Sequence, residues 1–227
     1  MDKWAWGEIM EQDAESWFER GKQQGRAGDF EGAIASFDQL IHFKFDDHDA
    51  WVYRGIAFGS LGRYEEAIAS CDQAVSLKPD FHDAWVYRGA ALSDLGRHEE
   101  AIASYDQAIY LKPDFHDAWV HRGVALGDLG RHEEAIASFD RAIHFKPDDY
   151  TVWHNRGAAL YDLGRFEEAI ASYDQVIRFM PNEHEAWNSR GIALIKLGRY
   201  VGAIASYDQA IHLKPDFHDA WSSRGYA

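Results

Sequence analysis

Seven of the nine tryptophans, Trp17, Trp51, Trp85, Trp119, Trp153, Trp187 and Trp221, lie 34 residues apart without a slip. A period this strict constrains the chain more than its length of 227 residues does. It predicts a stack of one supersecondary unit, each copy burying its apolar face on its neighbours, with no single central core. Counted from His48, the units run 14–47, 48–81, 82–115, 116–149, 150–183 and 184–217. Residues 1–13 precede the period and 218–227 begin a seventh unit. Units 48–81 and 82–115 agree at 26 of 34 places, which points to duplication.

Within unit 82–115, Asp83 to Leu95 contains no proline and sets Trp85, Arg88, Gly89 and Leu92 at helical spacing. Gly96 and Arg97 break the pattern. A second helix is expected over Glu99 to Leu111, with Ala101, Ile102, Tyr105, Ala108 and Ile109 as its apolar stripe. Lys112-Pro113-Asp114 ends it, since proline lacks the amide donor and disfavours helix in the residue before it. All five prolines occupy this one place, and thirteen of the 19 glycines occupy two. Gly96 and its equivalents suit the positive φ of a helix C-terminus. Gly89 and its equivalents lie inside the first helix, at a cost of about 1 kcal/mol against alanine. Their recurrence predicts close approach of the partner helix near Ala101 and Tyr105. The tryptophan row shares a face with Gly89 and Leu92 and is expected to pack in the core.

The set Trp85, Gly89, Leu92, Gly96, Ala101, Tyr105, Ala108 and Pro113 resembles the tetratricopeptide repeat. The resemblance runs ungapped through six units and into the seventh. It implies an all-α, right-handed superhelical solenoid of antiparallel helix-turn-helix repeats, with first helices lining a concave, ligand-holding face. One departure is systematic. Where the family usually carries leucine before the mid-helix glycine, this chain has Arg20, Arg54, Arg88, Arg122, Arg156, Arg190 and Arg224. The second helices carry Asp38, Asp72, Asp106, Asp140, Asp174 and Asp208. A ladder of Arg–Asp pairs, within or between neighbouring units, is therefore expected, with the arginine stems on apolar surface.

The charge balance, 38 Asp plus Glu against 23 Lys plus Arg, disfavours nucleic acid and anionic membrane as partners and favours basic ones. No run reaches the 18 or so apolar residues of a membrane span. One cysteine, Cys71, permits no intrachain disulfide, and a reducing, cytoplasmic setting is expected. Cys71 stands where other units have Phe or Tyr and is read as core. There is no Walker phosphate loop, no Gly-x-Ser-x-Gly elbow and no zinc-protease histidine pair. His48, His82, His116, His184 and His218 open successive units. Stacked equivalents lie roughly 10 Å apart, too far to share one zinc ion. No catalytic residue, cofactor or metal is expected, and these histidines are read as helix-start packing.

Specificity should lie where units differ. The family geometry implies a concave face built from the second, fifth, ninth, twelfth and thirteenth places. The candidate partner-binding residues are Asp49, Asp83 and Asp117 at the second place and Val52, Val86, Val120, His154 and Asn188 at the fifth. Tyr161 holds the twelfth place, and Asp94, Asp128 and Asp162 the thirteenth. They describe a shallow apolar floor between two rows of carboxylates, suited to a peptide with apolar side chains flanked by Lys or Arg. The second-place acids have a rival explanation as helix-dipole partners. The thirteenth-place row lies late in its helix, where the dipole disfavours it. Three readings follow: a protein or peptide scaffold, an interaction arm of a larger enzyme such as a protease, kinase or glycosyltransferase, or self-association through the incomplete C-terminal unit. Trp4, Trp6, Ile9 and Met10 are expected to cap the first unit, the alternative for residues 1–13 being a flexible segment.

Overall fold

A computed structural model describes the backbone of residues 3–227 and the side chains of 14–227. The expectation for Trp4, Trp6, Ile9 and Met10 therefore lies outside the described residues. Among those described, every regular element is helical. The first helices are α1 (Lys3–Arg26), α3 (His48–Ser60), α5 (His82–Asp94), α7 (His116–Asp128), α9 (Tyr150–Asp162), α11 (His184–Lys196) and α13 (His218–Tyr226). The second helices are α2 (Phe30–Phe43), α4 (Tyr64–Leu77), α6 (His98–Leu111), α8 (His132–Phe145), α10 (Phe166–Phe179) and α12 (Tyr200–Leu213). The chain forms two compact units, one ending at Pro113 and the other running Asp114–Ala227. Within each unit, a second helix packs on its own first helix and on the next one.

The turn between paired helices follows from one glycine. Gly96 has φ +79°, and its five equivalents, from Gly28 to Gly198, are likewise positive. The Arg97 amide then returns to the Leu92 carbonyl at 2.8 Å, satisfying an orphan acceptor of α5. The second helices α4, α6, α8 and α10 start on an arginine–glutamate fork, which α12 lacks because Gly202 stands in the glutamate's place. Arg97 donates from Nε and Nη2 to both oxygens of Glu100, each at 2.6 Å. In the first repeat Asp29 does the same work as an N-cap, accepting from the Gly32 amide at 3.0 Å.

The mid-helix glycines are explained by contact. A Cβ on Gly89 would meet the Tyr105 ring at 2.6 Å, and one on Gly191 would meet Tyr207 at 2.6 Å. Losing the side chain lets an aromatic ring lie flat against the first helix, and burying such a ring removes about 150–250 Å² from water. Cys71 replaces that ring in the second repeat, with its Sγ 2.9 Å from where a Gly55 Cβ would stand. It is fully buried, and burial pushes its thiol up to about 12, so it is a core residue.

The arginine ladder forms, and between repeats. Arg54 Nε donates to Asp38 at 2.6 Å, Arg88 to Asp72 at 2.6 Å, Arg156 to Asp140 at 2.7 Å and Arg190 to Asp174 at 2.6 Å. Each aspartate belongs to the preceding second helix. The same guanidinium reaches forward to a serine of its own second helix, as in Arg88 Nη1 to Ser104 at 2.7 Å and Arg156 Nη1 to Ser172 at 2.8 Å. Those serines are buried and also donate to the backbone carbonyl one turn back, as Ser104 does to Glu100 at 3.0 Å. One side chain thus ties three helices. The first repeat departs from this: Ser36 donates to Gln24 at 2.6 Å, and Arg20 lies over Trp17.

The tryptophans are placed differently from expectation. Leu92 is fully buried, but Trp85 and most of its equivalents are only half-buried, and Trp221 is exposed. Each indole flanks the core. The Trp85 N–H donates to the Pro79 carbonyl at 3.0 Å, and Trp153, Trp187 and Trp221 bond Pro147, Pro181 and Pro215 alike. The arginine one turn on lies over the ring, 5.9 Å from the centroid for Arg88 over Trp85. The indole therefore satisfies the carbonyl of the inter-repeat turn.

Candidate functional site

On a helix advancing about 100° per residue, places 2, 6, 9 and 13 of a first helix fall within roughly 60° of one another. Place 5 is displaced toward the neighbouring helices. The structure follows this geometry. Val52, Val86 and Asn188 are buried, with Val52 packed against Ala74 of its own second helix and Ala84 of the next first helix. These three therefore lie beneath the first-helix face and not on its surface. Val120 and His154 are partly buried. The His154 ring lies 5.6 Å from the Tyr173 ring, its Nε2 is buried without a partner, and burial lowers its pKa. Asn188 Oδ1 is likewise buried and unpaired.

The sixth place, which the candidate set omits, lies on the open face. Tyr53, Tyr87 and His121 are exposed there, and Asn155, Ser189 and Ser223 are partly so. Its i+4 spacing from the acidic second place and its variation between units were the available signals. In the second compact unit burial raises the pKa of the Tyr173 and Tyr207 phenols, and the neighbouring Ser189 and Ser223 of this face act in the opposite direction.

The carboxylates sit as their places require. Asp49, Asp83 and Asp117 lie in the first turns of α3, α5 and α7, half-exposed or exposed. Asp94, Asp128 and Asp162 are the last residues of α5, α7 and α9, and all three are exposed. Burial raises the phenol pKa of Tyr105, and the Asp94 charge raises it further. Tyr173 and Asp162 repeat the relation. In these two repeats the thirteenth-place carboxylate thus acts electrostatically on the core phenol.

Clefts open between consecutive first helices. In the first compact unit one of about 220 Å³ is floored by Phe37 and bounded by Lys22, Gly25, Arg26, Tyr53 and Ile56. In the second, one of about 240 Å³ is floored by Phe139 and bounded by Val124, Gly127, Asp128, Ala158 and Asp162. Another, of about 250 Å³, is bounded by Ile192, Ile195, Lys196, Tyr207 and Tyr226. Tyr161 borders this last cleft and stacks edge-on with Phe166 at 5.3 Å.

The unit-opening histidines pack at helix starts. The His48 ring meets Phe81 edge-on at 4.9 Å and His184 meets Phe217 at 4.8 Å. His116 contacts Asp149 at 3.0 Å. Among the described residues no group of three or more His, Cys, Asp or Glu could hold a metal ion. No described helix is long and apolar enough to cross a membrane.

The tetratricopeptide repeat model matches residues 18–80, 61–114, 88–150 and 154–227. The chain belongs to the tetratricopeptide repeat family. Its fold is shared by solved structures of low sequence identity. PilF of Pseudomonas aeruginosa has a TM-score of 0.80 at 14% identity, over 96% of this chain and 99% of that one. YrrB, described as a TPR protein with an unusual peptide-binding site, has a TM-score of 0.72 at 21% identity, over 83% and 97%. MamA has a TM-score of 0.67 at 21% identity, over 77% and 95%. No curated protein sequence matches the chain.

Proposed function

We propose that this chain is a non-catalytic scaffold whose first-helix face holds a polypeptide carrying apolar and basic side chains. Tetratricopeptide repeats are interaction modules, and proteins or peptides are their general partners; the named peptide-binding site of the fold relative YrrB accords with this. The observation that carries the reading is the open cleft between first helices in each compact unit, α1 and α3 in the first and α7 and α9 in the second, each floored by a core aromatic, with the exposed Asp128 and Asp162 bounding the latter. Such clefts suit side chains of an extended segment, and the carboxylates select its charge.

In this reading the contact surface of the first compact unit carries Asp94 at the thirteenth place, Asp49 and Asp83 at the second, and Tyr53 and Tyr87 at the sixth. That of the second unit carries Asp128 and Asp162, Asp117, and His121 and Asn155 at the same places. Tyr161 with the partly buried Val120 and His154 completes the floor of the second unit. The rim charges act mainly on encounter and register, since exposed pairs contribute only about 0–1 kcal/mol each.

The test is binding of fluorescent dodecapeptides of varied charge to the wild type and to the Asp94→Lys, Asp128→Lys, Asp162→Lys triple variant. Basic peptides should bind the wild type more tightly at low salt than at high salt. The triple variant should lose that preference. Equal binding of both proteins across salt concentrations overturns the acidic-face reading.

A further inference from the structure

In the first compact unit, the cleft between α1 and α3 carries a charge opposite to that of the acidic rows. Its floor is the buried Phe37, and Tyr53 and Ile56 wall it. The Tyr53 ring stacks on Phe37 at 5.8 Å, with 24° between the planes. Its mouth lies at Gly25, where a Cβ would find only Ala33, at 4.0 Å. The titratable groups that line it are Lys22, Arg26 and Tyr53, with no carboxylate among the described lining residues. Lys22 is already answered: its ammonium meets Glu19 at 2.8 Å and lies 5.1 Å over the Phe18 ring. Arg26 is exposed and forms no ion pair among the described residues. The acid nearest to it in sequence, Asp29, is committed elsewhere, one oxygen to the Gly32 amide at 3.0 Å and the other to the Gln24 side chain at 3.1 Å. The last turn of α1 suits a cation through the helix dipole, and that role leaves the guanidinium donors open. The ninth and thirteenth places, Lys22 and Arg26 here, are Ile56 and Ser60 in α3 and Ala90 and Asp94 in α5.

We propose that this cleft is the pocket for one large apolar side chain, Leu, Met or Phe, that has an aspartate or glutamate beside it in the bound polypeptide. The inference rests on the proposed peptide-binding function. It adds a charge order to the ligand of the first unit, acidic over α1 and basic over α5, where Asp94 stands at the place of Arg26. A cavity of about 220 Å³ has room for one such side chain. A polar side chain on the Phe37, Ala33 and Ala57 floor would lose its water without gaining a hydrogen bond there. At the mouth, a neighbouring Lys or Arg would be repelled by Arg26 and would find no lining carboxylate. A neighbouring Asp or Glu meets the open guanidinium in a charge-assisted contact. The edge at Gly25 is set by glycine and not by a side chain, so the apolar group can enter from the open face.

The probe is a dodecapeptide library displayed on phage at the N-terminus of a coat protein. It is selected on the full chain and, in parallel, on the Arg26→Glu variant. No displayed peptide has a free C-terminus, so any selected carboxylate is a side chain. Wild-type pools should enrich Leu, Met or Phe with Asp or Glu close beside it. Pools from Arg26→Glu should keep the apolar residue and exchange the acid for Lys or Arg. In a resynthesised wild-type peptide, replacing the acid by its amide should weaken binding about fivefold, the order of a charge-assisted contact at a screened rim. That loss should vanish in Arg26→Gln protein. Replacing the apolar residue by alanine should weaken binding about tenfold. Gly25→Leu, which fills the mouth where only Ala33 stands near, should mimic this second loss; circular dichroism and thermal melting verify that the variants are folded. Asp94→Lys, on α5, serves as the control for the rest of the face. If Asp94→Lys alters the selected pool but Arg26→Glu and Gly25→Leu leave it unchanged, the apolar–acidic pocket is wrong and the groove reading survives. If no peptide is enriched, or no variant of the face alters the pool, both fall.

Discussion

On α7, Gly123 and Gly127 stand four residues apart, about 40° from one another on the same side of one helix. A Cβ at Gly123 would fall 2.5 Å from the Phe139 ring, whereas one at Gly127 would meet nothing within 4 Å. The first lies on the packed flank that every repeat shares, where a core aromatic needs the missing side chain. The second lies one turn further along, beyond the ring, where the flank is open and the residue changes from repeat to repeat. The same residue type is thus structural at one turn and permissive at the next. What distinguishes the two is the neighbour, not the glycine.

The largest break in this comparison should come from filling the packed flank. Gly123→Val is expected to cost about 3 kcal/mol, because the buried ring has no space to retreat into. Urea denaturation would show it, and an unchanged midpoint would mean the helix can shift away from Phe139. Next is the arginine that borders the packed flank. Arg156→Met strands Asp140 and removes a donor from Ser172, and about 1–2 kcal/mol should be lost. Asp140→Ala should cost less, as that carboxylate is half-exposed.

A smaller effect concerns a place where the packed flank carries a polar group. His154→Val restores the valine of earlier repeats and removes a buried, unpaired Nε2. It should stabilise by about 1 kcal/mol near pH 7.5. Burial lowers the His154 pKa below its usual value near 6.5, against the opposing charges of Glu185 and Glu183. The unfolded chain therefore takes up the proton first as pH falls. The His154 contribution is fully present above about pH 6.5 and is lost as pH drops from there through the lowered folded value. The stabilisation by His154→Val should accordingly be larger at pH 5.5 than at pH 7.5 in thermal melts; an equal gain at both would show that His154 titrates normally. The smallest effect is on the open flank. Gly127→Ala should stabilise by up to about 1 kcal/mol through helix propensity alone.

This contrast also explains how much was legible beforehand. The packed flank repeats, so the helix pairs, the Gly89-on-Tyr105 contact, the turn glycines and the Arg–Asp ladder could be read from periodicity. The recurrence of tryptophan signals importance without saying which atom matters. Its indole N–H serves the Pro79-type carbonyl, and its ring only half enters the core. The open flank was harder. Family places put Val52, Val86 and Asn188 on the ligand face, whereas the packing of the next repeat buries them. The sixth place was overlooked although helical spacing aligns it with the acidic second place. Burial at a repeat junction depends on two neighbours at once, and no single unit of the sequence contains both.

The ladder has a kinetic consequence. Arg54, Arg88, Arg156 and Arg190 each reach an aspartate 16 residues back and a serine 16 residues ahead. The polar ties that align one helix with the next are therefore closed over short stretches of chain. Loop-closure entropy grows only with the logarithm of the span, and spans this short keep the initial ordering cost low. Folding of each compact unit should then be fast and local, able to start at any repeat and spread to its neighbours, with a rate set by one helix pair and not by the length of the array.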